Sequence, residues 1–172
     1  PVVGLGIGAA GTTFSLLGRK YGSPWIYAAL EKGMEAFEGQ PTVFDLDDVY
    51  YWRDISSSTR FIGLVGFGGS ATTSVRLINS IFVKHGVNSR CLPIISKKFD
   101  KLKQMLEILK VNGILTNRES GDEMLPLAEH YEEAARLGQY ADLILKQDDG
   151  WHAYNSIWRS VIRVLEKTLG KS

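Results

Sequence analysis

The chain has 172 residues, 44% of them hydrophobic and 23% charged, with a formal net charge of +1. That composition suits one ordinary domain, or one domain with a fragment attached, and gives no global field for nucleic acid or an anionic membrane. A single cysteine, Cys91, excludes an internal disulfide, and with no apolar stretch of spanning length and no signal peptide the cytoplasm is the expected compartment.

Val2 to Ile7 is a short apolar run that reads as a strand, and Thr12 to Arg19 suits a helix bracketed by Gly11 and Gly22. Trp25 to Leu30 is a second β-rich run, followed by a loop from Glu31 to Pro41. Thr42 can N-cap a helix carrying Leu46, Val49, Tyr50 and Trp52, with Asp45, Asp47 and Asp48 near its positive end. The polar run Arg53 to Thr59 is the best linker, so the division is placed between residues 1–54 and residues 55–172.

From there strands and helices alternate. Phe61 to Phe67 is a strand, and Thr73 to His85 is a helix with Ile78, Ile81 and Phe82 on one face and Gly86 as its stop. Arg90 to Ile95 is a strand, within which Cys91 reads as a buried thiol. Lys97 to Val111 is a helix burying Phe99, Leu102, Leu106 and Leu109, stopped by Gly113; its lysines 97, 98, 101 and 103 form a solvated face. Ile114 to Thr116 is a strand, and Glu123 to Leu137 is helical with an interruption near Pro126. Leu143–Leu145 and Trp151–Tyr154 form a hairpin across Asp148-Asp149-Gly150, and Ser156 N-caps a last helix. The alternation predicts an α/β fold around an open, mostly parallel sheet in three layers.

Gly6-Ile7-Gly8-Ala9-Ala10-Gly11 matches the dinucleotide fingerprint, with Glu31 in roughly the place of the acidic ribose ligand. An NAD-dependent oxidoreductase using Gly6, Gly8 and Gly11 is therefore one alternative, although a full unit needs a third strand that the Tyr/Trp-rich helix does not supply. The overlapping match to a phosphate loop has Thr12 where the lysine belongs, so a nucleoside triphosphate site is not expected.

Gly11-Thr12-Thr13-Phe14-Ser15-Leu16-Leu17-Gly18, Tyr21-Gly22-Ser23-Pro24, Glu38-Gly39-Gln40 and Leu46-Asp47-Asp48-Val49 resemble the C-terminal end of type I 3-dehydroquinate dehydratases. The resemblance implies a βαβα remnant of a TIM barrel, with Gln40 as a substrate contact. Ser15 replaces the arginine that binds the substrate carboxylate in that family, and Ala36 replaces a serine. Two of eight strand–helix units cannot close a barrel.

Gly66 to Asn79 resembles the substrate-binding loop of shikimate dehydrogenases, G-x-P-x-x-H-S-x-S-P-x-x-H-N. Thr72 and Ser74 keep hydroxyls at the two serine positions and Asn79 keeps the final amide, while Ala71 and Ile78 replace the histidines. Gly113 to Leu127 follows the family's second motif at its two ends, but Gly121 stands where the catalytic lysine belongs. Tyr154-Asn155-Ser156-Ile157-Trp158 replaces Y-N-T-D-W, so Ile157 stands for the catalytic aspartate. Gly121 and Ile157 have no proton to give or take.

The resemblance implies the junction of a fused dehydratase–dehydrogenase polypeptide with a degenerate shikimate-type pocket, a pseudoenzyme by expectation. A non-catalytic metabolite-binding or regulatory module, as in quinate repressors, is the other reading. Thr72, Ser74, Asn79, Asn155 and Gln40 are the expected contacts to a small hydroxylated carboxylic acid. No catalytic residue, metal or cofactor is expected, since NADP needs a domain beyond Ser172. His130 and His152 are set aside for lack of a spaced carboxylate or thiol. The unpaired N-terminal strands are expected to pack on the second domain, to pair with another copy in a homo-oligomer, or to belong to a longer parent chain.

Overall fold

A computed structural model describes residues 3–68, 71–95 and 101–170. Val2, Gly69 and Ser70 of the quoted motifs lie outside them, as do Lys97 and Lys98 of the basic cluster and the core candidate Phe99. The described residues pack as two compact units, one reaching to Asn112 and one starting at Gly113.

The first unit begins with helix α1 (Gly11–Leu17), whose Leu16 and Leu17 are buried. The expected strands on either side of it do not form. Among the described residues, 3–7 and 25–30 contain only one isolated bridge, Ala29 to Thr42. A strand exists through its neighbour, and here the backbone bonds run to the loop at residues 38–41 instead. Gly8 N–H bonds Glu38 O at 2.8 Å and Ala29 N–H bonds Pro41 O at 2.9 Å. Ile7, Trp25, Tyr27 and Leu30 are left exposed.

Thr42 does cap the next element. Its hydroxyl accepts from Asp45 N–H at 3.1 Å while the Asp45 carboxylate accepts from Thr42 N–H at 2.9 Å, a reciprocal box. The turn that follows is wound as a π-helix, Asp45–Val49, burying Leu46 and Val49. A short 3₁₀ turn, Trp52–Asp54, comes next. The expected linker is tightly bonded: Thr59 is fully buried, accepts from Ser56 N–H at 2.9 Å and donates to Asn88 Oδ1 at 2.8 Å. Packing runs through this loop, and the compact unit continues to Asn112.

Strands β1 (Arg60–Val65) and β2 (Ser89–Ile94) pair in parallel, from Arg60 opposite Ser89 to Val65 opposite Ile94. Between them runs helix α2 (Ala71–Lys84), which packs on β2 through Val75 and Asn79. Gly86, at φ +65°, stops it as expected. Helix α3 (Leu102–Ile108) buries Leu102 and Leu106. Its stop is Lys110, at φ +51°, in place of the expected Gly113.

In the second unit β3 (Gly113–Thr116) leads into α4 (Gly121–Met124), a 3₁₀ turn at Leu125–Leu127, β4 (His130–Tyr131) and α5 (Glu133–Gly138). The single interrupted helix expected here is thus four short elements. A hairpin of β5 (Leu143–Gln147) and β6 (Gly150–Tyr154) follows, then α6 (Ser156–Leu169). The strand order is β3-β5-β6-β4. β5 runs antiparallel to both its neighbours, whereas β4 joins β6 in parallel with His130 opposite His152. The class is α/β with a mixed sheet. No described helix is long and apolar enough to cross a membrane.

Candidate functional site

β1 ends at Val65 and the chain turns through Gly66 (φ +85°) and Gly68 (φ +49°) towards α2. Both glycines occupy left-handed backbone that other residues adopt at a cost. They line a cleft of about 300 Å³ with Phe67, Ala71, Pro93 and Ile94. Thr72 is exposed and Ser74 half-buried in the first turn of α2. The two hydroxyls of the expected pocket therefore sit at the start of α2, and neither is among the residues lining the cleft.

Asn79 does not join them, which corrects its assignment as a ligand contact. It is fully buried, about 10 Å along the helix axis from Thr72 at 1.5 Å per residue. Its amide nitrogen donates to Val49 O at 2.9 Å and to Cys91 O at 3.0 Å, and its oxygen accepts from Cys91 N–H at 2.6 Å. Three of the four hydrogen-bonding valences of the side chain are spent on backbone. Gln40 is half-buried, and its side-chain oxygen accepts from Ala36 N–H at 2.7 Å, closing its own turn.

In the second unit Tyr140 packs on the lysine position and shares a cleft with the aspartate position. A Cβ built on Gly121 would lie 2.1 Å from Cε2 of Tyr140 and 2.5 Å from its Cδ2. The ring of Tyr140 thus lies directly over the Gly121 backbone and fills the space a lysine stem would need. Tyr140, Asn155, Ile157, Trp158 and Val161 line one cleft of about 520 Å³. No amine, carboxylate or imidazole is among those lining residues.

The floor of α6 explains the rest. Asn155 Oδ1 accepts from Trp158 N–H at 3.0 Å and is the N-cap, a position expected for Ser156. The buried Asp142 carboxylate accepts from Ser156 N–H at 2.7 Å, Ser156 Oγ at 2.6 Å and Ile157 N–H at 3.0 Å. Three first-turn amides are therefore occupied by side chains, and a negative charge already sits at the positive end of the helix. A ligand carboxylate would meet repulsion there.

Three amides of the glycine-rich loop are engaged within the chain. Gly6 N–H donates to Ser15 Oγ at 2.9 Å, Gly8 N–H to Glu38 O at 2.8 Å and Gly11 N–H to Gly8 O at 2.7 Å. Those amides have no hydrogen left for a pyrophosphate, and no strand precedes or follows α1 within the described residues of the fingerprint's unit. The glycines are there for close packing: a Cβ on Gly6 would lie 2.2 Å from Gly11 O, and one on Gly39 (φ +82°) 2.1 Å from Gly8 O. Cys91 is buried, and desolvation pushes its thiol up to about 12, which makes it a poor nucleophile.

Comparison with known proteins follows this geometry. Residues 1–57 match the family of type I 3-dehydroquinase. An 82-residue stretch is 32% identical to a chloroplastic bifunctional 3-dehydroquinate dehydratase/shikimate dehydrogenase of Arabidopsis thaliana, covering 48% of this chain and 14% of that protein. The chain resembles a dehydratase–dehydrogenase junction. Its fold is shared with shikimate dehydrogenase of Aquifex aeolicus, at TM-score 0.57 and 23% identity over 66% of this chain and 43% of that one. Shikimate 5-dehydrogenase of Listeria monocytogenes, solved with shikimate and NAD, gives 0.57 and 18% over 66% and 40%. Quinate dehydrogenase of Corynebacterium glutamicum, solved with NAD, gives 0.55 and 17% over 66% and 43%. The chain thus spans less than half of each of these proteins.

Two features escaped the sequence reading. Tyr140 belongs to the site through its contact with Gly121, and the signal was a large residue gained where a long one was lost. His130 and His152 do have a carboxylate partner, because the β5–β6 turn presents Asp149 to both.

Proposed function

We propose that this chain is part of a 3-dehydroquinate dehydratase/shikimate dehydrogenase-like protein of the shikimate pathway, and that its dehydrogenase-like portion holds a metabolite without turning it over. The packing of Tyr140 on Gly121 carries this reading. A dehydrogenase acting on a hydroxyl must move a proton with each hydride, by a group whose pKa is matched to the task. Here the lysine position is filled by an aromatic ring, and the aspartate position by a half-exposed isoleucine side chain. Thr72 and Ser74 lie in the first turn of α2, next to Ala71 of the Gly66–Gly68 cleft, and would supply hydroxyls to a polyol bound there. The bound ligands named for the Listeria enzyme and the substrate named for the Corynebacterium enzyme make shikimate and quinate the first candidates.

Calorimetric titration with shikimate, quinate and 3-dehydroshikimate tests the binding half. Heat with one of them, reduced about tenfold in affinity by Thr72→Val or Ser74→Ala, is the expected result. Absence of heat with all three removes the ligand-holding role. Steady NADP(H)-dependent interconversion of shikimate and 3-dehydroshikimate by the same protein would remove the non-catalytic one.

A further inference from the structure

Three side chains converge on the outer strand pair of the second unit, away from the Tyr140 cleft. His130 on β4 and His152 on β6 are register partners, so both rings project from the same side of the sheet. Their rings stack at 4.5 Å between centroids with 29° between planes. The hairpin turn then brings Asp149 back over them. His152 Nε2 lies 2.7 Å from Asp149 Oδ1, and His130 Nε2 lies 3.6 Å from Asp149 Oδ2 and 3.2 Å from Asp149 O. One ligand atom from each of the three residues falls within a 4.8 Å span.

We propose that His130, Asp149 and His152 form a binding site for a borderline transition-metal cation, Zn²⁺ foremost. Two imidazoles and one carboxylate are the donor set that zinc accepts at about 2.0–2.2 Å, which sets tetrahedral ligand atoms roughly 3.4 Å apart. The observed contacts bracket that separation, so the site closes with small side-chain rotations. His130 and Asp149 are exposed and His152 is half-buried, which gives a cation a path in from solvent. It also leaves a fourth position for water.

The same contacts explain why the cluster is stable without metal. Asp149 is held below the usual carboxylate range, first by the hydrogen bond from His152. A cation would bind through the same side-chain atoms that make these contacts. The turn residue, the β6 strand and the two-residue β4 strand would then be clipped together by one ion. Only backbone pairing of His130 with His152 and Tyr131 with Ala153 joins β4 to β6 as strands, so a clip at that point holds a short element in place.

The test uses the full chain without an added histidine tag, titrated with ZnCl₂ in a calorimeter. One saturating equivalent per chain is expected. His130→Ala, His152→Ala and Asp149→Ala should each weaken binding at least about tenfold, while His85→Ala, in the turn just after α2, leaves it unchanged. Histidine side-chain NMR of the unaltered protein makes the result independent of whether the variants fold. Zn²⁺ should shift the ring nitrogens of His130 and His152 and leave those of His85 in place. No saturable heat, equal affinity in the three cluster variants, or ring shifts confined to His85 would overturn the proposal.

Discussion

Gly121 and Tyr140 show how much a single pair of side chains decides about this chain's chemistry. Gly121 has ordinary helical backbone, φ −69° and ψ −31°, where alanine normally stabilises by up to about 1 kcal/mol. Here its Cβ would enter the Tyr140 ring, so Gly121→Ala should instead destabilise by about 1–3 kcal/mol, as overpacking does. In a Tyr140→Val background the same change should become neutral or stabilising. Urea unfolding of the four proteins measures this, and additivity of the two changes would contradict the contact. The substitution at Gly121 was legible in the chain because a motif surrounds it. Its structural counterpart was not, since the eighteen residues between them give no period or spacing that announces contact. Asn79 failed for a different reason. A carboxamide that binds a polyol and one that binds three backbone groups are the same residue, and only burial separates them.

Among the elements, those with local instructions were readable. The Thr42 cap, the Gly86 stop and the Asp-Asp-Gly hairpin each rest on side chains or backbone preferences within four residues. Residues 25–30 have the composition of a strand yet make one bridge, because strand formation requires a neighbour that composition cannot provide. β4 is the converse: two residues, too short for any periodicity, are recruited by β6. Helix α6 owes its start to groups outside itself. Asp142 binds the Ser156 and Ile157 amides and the Ser156 hydroxyl, and Asn155 binds the Trp158 amide. Asp142→Ala leaves those donors short of partners and should cost about 2–3 kcal/mol, with loss of helical signal at 222 nm as α6 frays. A change below about 0.5 kcal/mol would mean that the carboxylate is not what anchors the helix.

At the scale of the molecule, the first unit carries two buried acids that resist ionisation. Burial pushes Cys91 up to about 12, and burial with the nearby Asp45 carboxylate raises Tyr50 further. Both folded-state values lie above those of the unfolded chain, so the folded state keeps protons that the unfolded state releases. Stability is then complete below about pH 9 and drains as pH climbs through the folded values. Urea midpoints should hold from pH 7 to 8.5 and fall steeply by about pH 10.5, with part of the fall absent in Cys91→Ala. A flat profile to pH 10.5 would contradict the burial of both groups.

The tie made by Asn79 carries one more consequence. Likeness to a dehydratase stops at residue 57, yet the amide on α2 grips Val49, Thr13 bonds Pro93 O, Lys20 bonds Thr59 O and Tyr21 bonds Leu109 O. Homology and mechanics therefore draw their borders in different places. Gene fission or recombination at the ancestral border would sever a working joint, and each half would inherit surfaces shaped for the other.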